Sequence, residues 1–213
     1  LANPVAFTFD ELGRAFVVET HRRRSSTPDI RKNEKWVAEV LAHRTVEDRV
    51  AFLKRELAPE AKMKPSPGRE DRNGDGRFDW TDWEIDSERI RLLEDEDGDG
   101  KADRSRVFAD GFNELATGVA AGVLARGDDV WLACAPNLWR LRGARAGAVS
   151  REKLHTGFGV HVAYSGHDMH GLRIGPDGKL YWSIADCGAH VPMPGGAALG
   201  VPDSGAVFRC NPD

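Results

Sequence analysis

The sequence predicts an all-β chain, an incomplete β-propeller interrupted by a helical insertion. Three observations carry that expectation. A hairpin phrase recurs, glycine fills 23 of 213 positions against the ~7% usual in globular chains, and helical periodicity is confined to one stretch. The phrase is a short apolar strand, a turn with Asp and Gly, and a second strand. It appears at Val5–Glu19 (VAFTFDELGRAFVVE), Gly122–Cys134 (GVLARGDDVWLAC) and Gly171–Asp186 (GLRIGPDGKLYWSIAD). In each copy alternating apolar residues flank the turn, as half-buried strands require, and Gly13, Gly127 and Gly178 can supply the positive φ of such turns. Gly127 and Gly178 stand 51 residues apart, Gly13 and Gly127 114 apart. With a unit near ~45 residues, the longer gap is expected to hold one more blade plus an insertion, giving three to four blades. An ordinary antiparallel domain with similar hairpins is the competing reading.

The insertion is placed at about residues 31–58. Between Asn33 and Leu57, apolar residues fall at Trp36, Val37, Val40 and Leu41, then at Val46, Val50, Leu53 and Leu57, which is one face of a helix. Thr45 with Asp48 three residues on resembles a capping box, so two helices joined near His43 are expected. Pro59, Pro65 and Pro67 close the stretch, which should lie over one end of the blades.

Composition excludes several functions. Thirty basic against 34 acidic residues leave a net charge of −4, which argues against nucleic acid as the main partner. No apolar run approaches the roughly 18 residues of a membrane span. Cys134, Cys187 and Cys210 form neither a disulfide scaffold, a zinc motif nor a haem-attachment motif. The chain starts inside a strand-like phrase and stops at Asn211-Pro212-Asp213, so it is expected to be a fragment.

Two acidic loops, at about 71–103, carry the sharpest motif. In Asp71–Asp82 (DRNGDGRFDWTD), oxygen ligands fall at positions 1, 3, 5, 9 and 12: Asp71, Asn73, Asp75, Asp79 and Asp82. Arg77 holds position 7, which offers a backbone carbonyl, and Gly76 sits at the sharp turn. Successive oxygens around one hard cation are what calcium requires; Asp82 replaces the usual Glu. In the second loop, Asp95, Asp97, Asp99 and Asp103 repeat positions 1, 3, 5 and 9, Lys101 holds position 7, and Arg106 takes the place of the terminal carboxylate. Flanking strands make this a loop that ties a β-hairpin. Both are expected to bind calcium structurally, against the alternative of solvated acidic turns.

Five of seven histidines (His155, His161, His167, His170, His190) fall within 36 residues. His161, His167, Asp168 and His170 suit a base, a zinc or copper site, or a hydrogen-bonded structural cluster. Asp186 closes a strand where a carboxylate can orient an imidazole. The run His21-Arg22-Arg23-Arg24 reads as solvated surface or an anion contact, and Trp80, Trp83, Trp131, Trp139 and Trp182 as packing residues or sugar platforms. Cys134 and Cys210 read as buried thiols, and Cys187 as exposed near the histidines.

The phrase Gly166–Asp186 (GHDMHGLRIGPDGKLYWSIAD) resembles the signature of the soluble glucose/sorbosone dehydrogenases, six-bladed propellers that use pyrroloquinoline quinone (PQQ). The resemblance implies His167 as catalytic base and Asp186 as its partner carboxylate. Ile174–Gly178 is then the blade turn, with Ile for the usual Phe. Small residues usually follow the His, where this chain has Asp168, Met169 and His170, so Asp168 and His170 are taken as cofactor-facing. A wider resemblance is carried by NPVAFTFDELGRAFVVETHRRR, RTVEDRVAFLK, ERIRLLEDEDGDGKADRSRVFADGFN and PDSGAVFRCNPD. These are similar to the large membrane-bound dehydrogenase-like proteins of planctomycetes and verrucomicrobia. That likeness implies the N-terminal half of a propeller, six-bladed when complete, in an exported protein, periplasmic or extracellular, with a cytochrome c module elsewhere in the full-length chain. The activity implied is base-assisted hydride transfer from a sugar or alcohol to PQQ, with calcium polarising the quinone. The alternative is a non-catalytic, calcium-stabilised propeller that binds glycans or a protein partner.

Overall fold

The computed structural model describes residues 1–59, 70–145, 149–162 and 167–213. The chain builds a partial, propeller-like all-β fold of three blades. Blade one is an antiparallel sheet of β1 (Pro4–Phe9), β2 (Ala15–Glu19), β3 (Glu88–Glu94) and β4 (Arg104–Phe112), in that order. Blade two runs β5 (Ala120–Arg126), β6 (Asp129–Cys134), β7 (Asn137–Arg142) and β8 (Ser150–Thr156). In the third, β9 (His170–Ile174) pairs with β10 (Leu180–Ile184). A small ribbon of β11 (Ala189–Pro192) and β12 (Ala198–Val201) intervenes before β13 (Ala206–Cys210) joins β10. The innermost strands β5 and β9 meet in parallel at Ala121 and His170.

The three hairpin phrases are the inner hairpins of the three blades, β1–β2, β5–β6 and β9–β10. The long gap between the first two copies holds no additional blade. It contains the insertion, the first acidic loop and β3–β4, which complete blade one by pairing β3 onto β2. The insertion inside blade one lengthens the repeat without adding a sheet, so the gap of 114 residues corresponds to one blade rather than two.

The middle blade buries both faces of its inner strands, since successive strand residues point to opposite sides, whereas β1 of blade one and β13 of blade three leave Phe7, Phe9 and Val207 exposed. On β6, Val130 and Leu132 pack towards blade one with Phe16, Ile90, Leu92 and Phe108, while Trp131 and Ala133 pack towards Leu172, Leu180, Trp182 and Phe208 of blade three. This two-sided burial explains why β6 reads as an unbroken apolar run.

Between β2 and β3 stand α1 (Val37–Val40) and α2 (Val46–Glu56). The capping box forms as expected: the Thr45 side chain accepts from Asp48 N–H while Asp48 accepts from Thr45 N–H. Trp36, Val40, Phe52, Leu53 and Leu57 pack with Trp83, Leu115 and Val162, whereas Val37 and Leu41 are exposed. Pro65 and Pro67 lie outside the described residues.

The basic run after β2 is not simply surface. Arg22 is wholly buried, and its guanidinium reaches six backbone carbonyls, of Ser26, Trp83, Asp86, Asn113, Glu114 and Thr117, at 2.7 to 3.4 Å. Beside it, buried Glu88 accepts from Thr20 Oγ1 and from the N–H groups of His21, Arg22 and Ala120. These two groups satisfy the irregular backbone where the insertion leaves and re-enters the blade.

Candidate functional site

Antiparallel connectivity sends alternate connections to opposite ends of the blades. The β2–β3, β4–β5, β8–β9 and β10–β13 connections therefore share one end, which carries the helical insertion. The opposite end carries the tight hairpin turns and the second acidic loop; there Glu11 accepts from Gly127 N–H, and Arg14 lies 3.8 Å from Glu94.

His167 and Asp186 meet at the insertion end. His167 precedes β9 and Asp186 follows β10, so hairpin pairing brings together residues 19 positions apart. Nδ1 lies 2.5 Å from Asp186 Oδ1. The carboxylate can only accept, so Nδ1–H donates. Both side chains are about half exposed, at 42% and 54%. A carboxylate that accepts from a ring N–H holds the imidazole in one orientation at this accessible surface.

The neighbouring residues divide. His170 is exposed, and its Nδ1 lies 2.7 Å from the Asp168 backbone oxygen. The Asp168 side chain turns inward, is buried, and accepts from Val119 N–H at 3.3 Å. It therefore does not share the accessible face expected for a cofactor contact. His161 is buried with Nε2 at 3.3 Å from the His43 carbonyl oxygen. With His161, His167 and His170 bonded to different partners, the zinc or copper reading finds no histidine cluster among the described residues. Gly166, which opens the signature phrase, lies outside the described residues.

Cys187, expected to be exposed, is buried; its thiol donates to the His167 backbone oxygen at 3.0 Å, and burial pushes its pKa up to about 12. Arg49, on α2, was missed altogether. It is fully buried, donates from Nη2 to the Ala116 oxygen, and has its pKa lowered to about 10 by burial, with Cys187 and Asp168 holding its charge up. The signal was present, since Arg49 falls on the apolar stripe of α2 between Val46 and Leu53. The three cysteines are free thiols.

The two acidic loops are wired alike. Asp71 accepts from the N–H groups of Gly74 and Gly76, and Asp95 from those of Gly98 and Gly100. Asn73 and Asp97 accept from Asp75 and Asp99 N–H, and Asp75 and Asp99 from Arg77 and Lys101 N–H. The glycines adopt φ of 77° to 87°, a region closed to most side chains. The closing carboxylate differs between the loops. In the first it is Asp82, buried, accepting from Arg72, Asn73 and Asp79 N–H. In the second it is Asp103, which accepts from Glu96 and Asp97 N–H, so Arg106 leaves nothing open. Asp79 caps a short helical turn, accepting from Thr81, which lowers its pKa.

Carboxylate oxygens of Asp95, Asp97 and Asp99 lie within 4.8 Å of one another. Oxygens at about 2.4 Å from a single calcium ion lie within about 5 Å of each other, so this donor set fits one hard cation. Lys101 Nζ stands 2.9 Å from Asp99 Oδ2 and is the competing cation.

The sequence profile of a family described as a domain of unknown function (DUF7133) matches residues 1–213, and the chain belongs to that family. No curated protein matches it, and no solved structure does. Among the described residues no helix is long and apolar enough to cross a membrane.

Proposed function

We propose that this DUF7133 domain is the base-bearing part of a sugar or alcohol dehydrogenase, with the His167–Asp186 pair as its proton acceptor. The observation that carries the reading is the 2.5 Å contact between Nδ1 and Oδ1 in a half-exposed pair. His167 Nδ1 donates to Asp186, which orients the ring, and in this reading Nε2 acts as the base. That nitrogen takes the proton of a substrate hydroxyl as the carbon is oxidised, and Asp186 stabilises the imidazolium.

PQQ, the cofactor implied by the sequence resemblance, would supply the hydride acceptor. The residues present fit its role only in part. The His167–Asp186 pair supports the base role, but the carboxylates of this quinone need cations, and Arg22 and Arg49, the buried arginines among the described residues, are committed to backbone carbonyls. Asp168 adds buried negative charge next to the pair. His170, exposed beside the base, is the residue placed to contact a ligand on that face. The two acidic loops are proposed to hold calcium structurally: the second lies at the far end of the blades from His167, which separates its ion from the chemistry.

The test is calorimetric titration of the calcium-loaded full chain with PQQ, together with quinone-dependent oxidation of sugars and alcohols, for wild type and His167→Ala. Turnover that disappears in His167→Ala supports the reading. Turnover indifferent to His167, or a folded protein that binds no quinone, moves the assignment to the calcium-stabilised recognition module.

A further inference from the structure

The ribbon of β11 and β12 carries an unguarded strand edge. It leaves blade three shortly after Asp186 and is fixed at its base, where Ala189 bridges Phe158 and His190 N–H donates to the Gly157 oxygen at 2.7 Å. Beyond that base it stands in solvent: every residue from Pro192 to Gly200 is exposed, Met193 and Leu199 at 44% and 47%. Residues 191–202 carry no charged side chain. Strand edges in water are usually guarded by charges, by proline or by a bulge. Here Pro192 and Pro194 lie on β11 and in the turn, the β11–β12 register is regular, and β12 itself has none of these guards. The register fixes what the edge offers. Met193 N–H donates to the Ala197 oxygen at 2.9 Å, and antiparallel pairs alternate between bonded and non-bonded from there. Leu199 and Val201 therefore bond inward to Val191 and Ala189. Ala198 and Gly200 turn their N–H and C=O groups outward, as His190, opposite Gly200, turns its N–H to Gly157. Among the described residues no partner meets these outward groups, and the space a Cβ would take on Gly200 is open.

We propose that β12 is a self-pairing edge, through which two copies of this chain join as antiparallel strands across a two-fold axis at Leu199. The outward groups make the strand complementary to itself. Ala198 faces Gly200 of the partner subunit, and Gly200 faces Ala198 of the partner subunit, so each such pair exchanges N–H···O bonds in both directions. Leu199 meets Leu199 of the partner subunit as a non-bonded pair, with Cα atoms ~4.5 Å apart, and their contact removes apolar surface that water now covers. The uncharged stretch 191–202 sets no like charges against each other across the axis. With no side chain at Gly200, nothing on that face crowds the incoming alanine. The two ribbons become one sheet in the order β11-β12-β12-β11, at the insertion end of each copy. The contact is small, so it belongs with weak, concentration-dependent associations. It stands independently of the role given to His167.

Sedimentation velocity of the full chain over a concentration series reads the association directly. Wild type is expected to pass from monomer to dimer in the micromolar range. Leu199→Lys and Leu199→Glu each place like charges opposite one another at the axis and should weaken self-association about tenfold or more. An equimolar mixture of the two variants should restore it. Phe7→Lys, on the exposed face of β1, should leave the association unchanged. With diamide as oxidant, Leu199→Cys should form a covalent dimer, because directly opposed residues at that spacing meet disulfide geometry. Wild type, with its three free cysteines, and Val207→Cys, exposed on β13, should not within the same time. A chain that stays monomeric throughout the series overturns the proposal. So does a dimer indifferent to Leu199→Lys, or one lost in Phe7→Lys, which would move the contact to β1. A mixture of the two charge variants that stays monomeric would remove the two-fold pairing at Leu199.

Discussion

Replacing Arg22 tests whether a buried cation, rather than a larger apolar core, holds the insertion on its blade. Six carbonyls converge on the guanidinium from residues 4 to 95 positions away. In Arg22→Met the side-chain volume is largely kept and the donors vanish. Each carbonyl left dry costs about 1–3 kcal/mol. If half of them reach water through local opening, the remainder cost about 3–9 kcal/mol. Relief of the desolvation carried by a buried cation offsets several kcal/mol of that, but buried Glu88 then loses the positive charge beside it, whereas Asp86 keeps its ion pair with Arg72. A net loss of about 4 kcal/mol is expected, a large share of the 5–15 typical of a domain. Arg22→Lys keeps the charge and three donors, so it should lose about 2 kcal/mol. Urea unfolding followed by tryptophan fluorescence gives both values. A loss below about 1 kcal/mol for Arg22→Met would refute the reasoning, and so would Lys faring worse than Met.

Three further expectations concern separate parts of the fold. Calcium at a hundredfold excess over its dissociation constant should stabilise the chain by about 2.7 kcal/mol, and Asp95→Asn/Asp97→Asn should reduce that gain; a melting temperature indifferent to calcium would dispose of the loops as ion sites. Gly157→Ala places a Cβ 2.0 Å from the His190 oxygen at φ +106°, against open space around Gly13 at φ +76°. It should cost at least 2 kcal/mol more than Gly13→Ala, where only about 1 kcal/mol of backbone strain applies, and equal losses would contradict the close approach. His43 is buried against the Phe52 ring, and burial holds its pKa below 6.5. The fold prefers the neutral ring, so this contribution is present above pH 6.5 and lost as pH falls through the lower folded value. Burial lowers His155 in the same direction. Stability measured from pH 7.5 to 5 should therefore fall less steeply in His43→Gln, and parallel curves would exclude His43 as a source.

What was legible in the sequence is local. The three hairpin phrases, the Thr45–Asp48 box and the wiring of the acidic loops each involve groups within about a dozen residues, where chain connectivity already brings them close and the entropic cost of meeting is small. Periodicity then identifies the strands and the insertion, and even the His167–Asp186 pair spans only one hairpin. Tertiary structure decided what joins across long loops. It paired β3 with β2 across the insertion, so the expected extra blade became the outer half of blade one. It took Arg22 out of a solvent-like basic run and buried it, because the carbonyls needing donors come from two connections far apart in sequence, β2–β3 and β4–β5. It turned Asp168 inward onto Val119 N–H and buried the Arg49 guanidinium against the Ala116 oxygen, 67 positions away, an encounter that no pattern in either segment encodes. The physical reason is one of range: local hydrogen bonds and period are written in neighbouring residues, whereas the burial of a charge depends on which distant groups the packed blades bring to it.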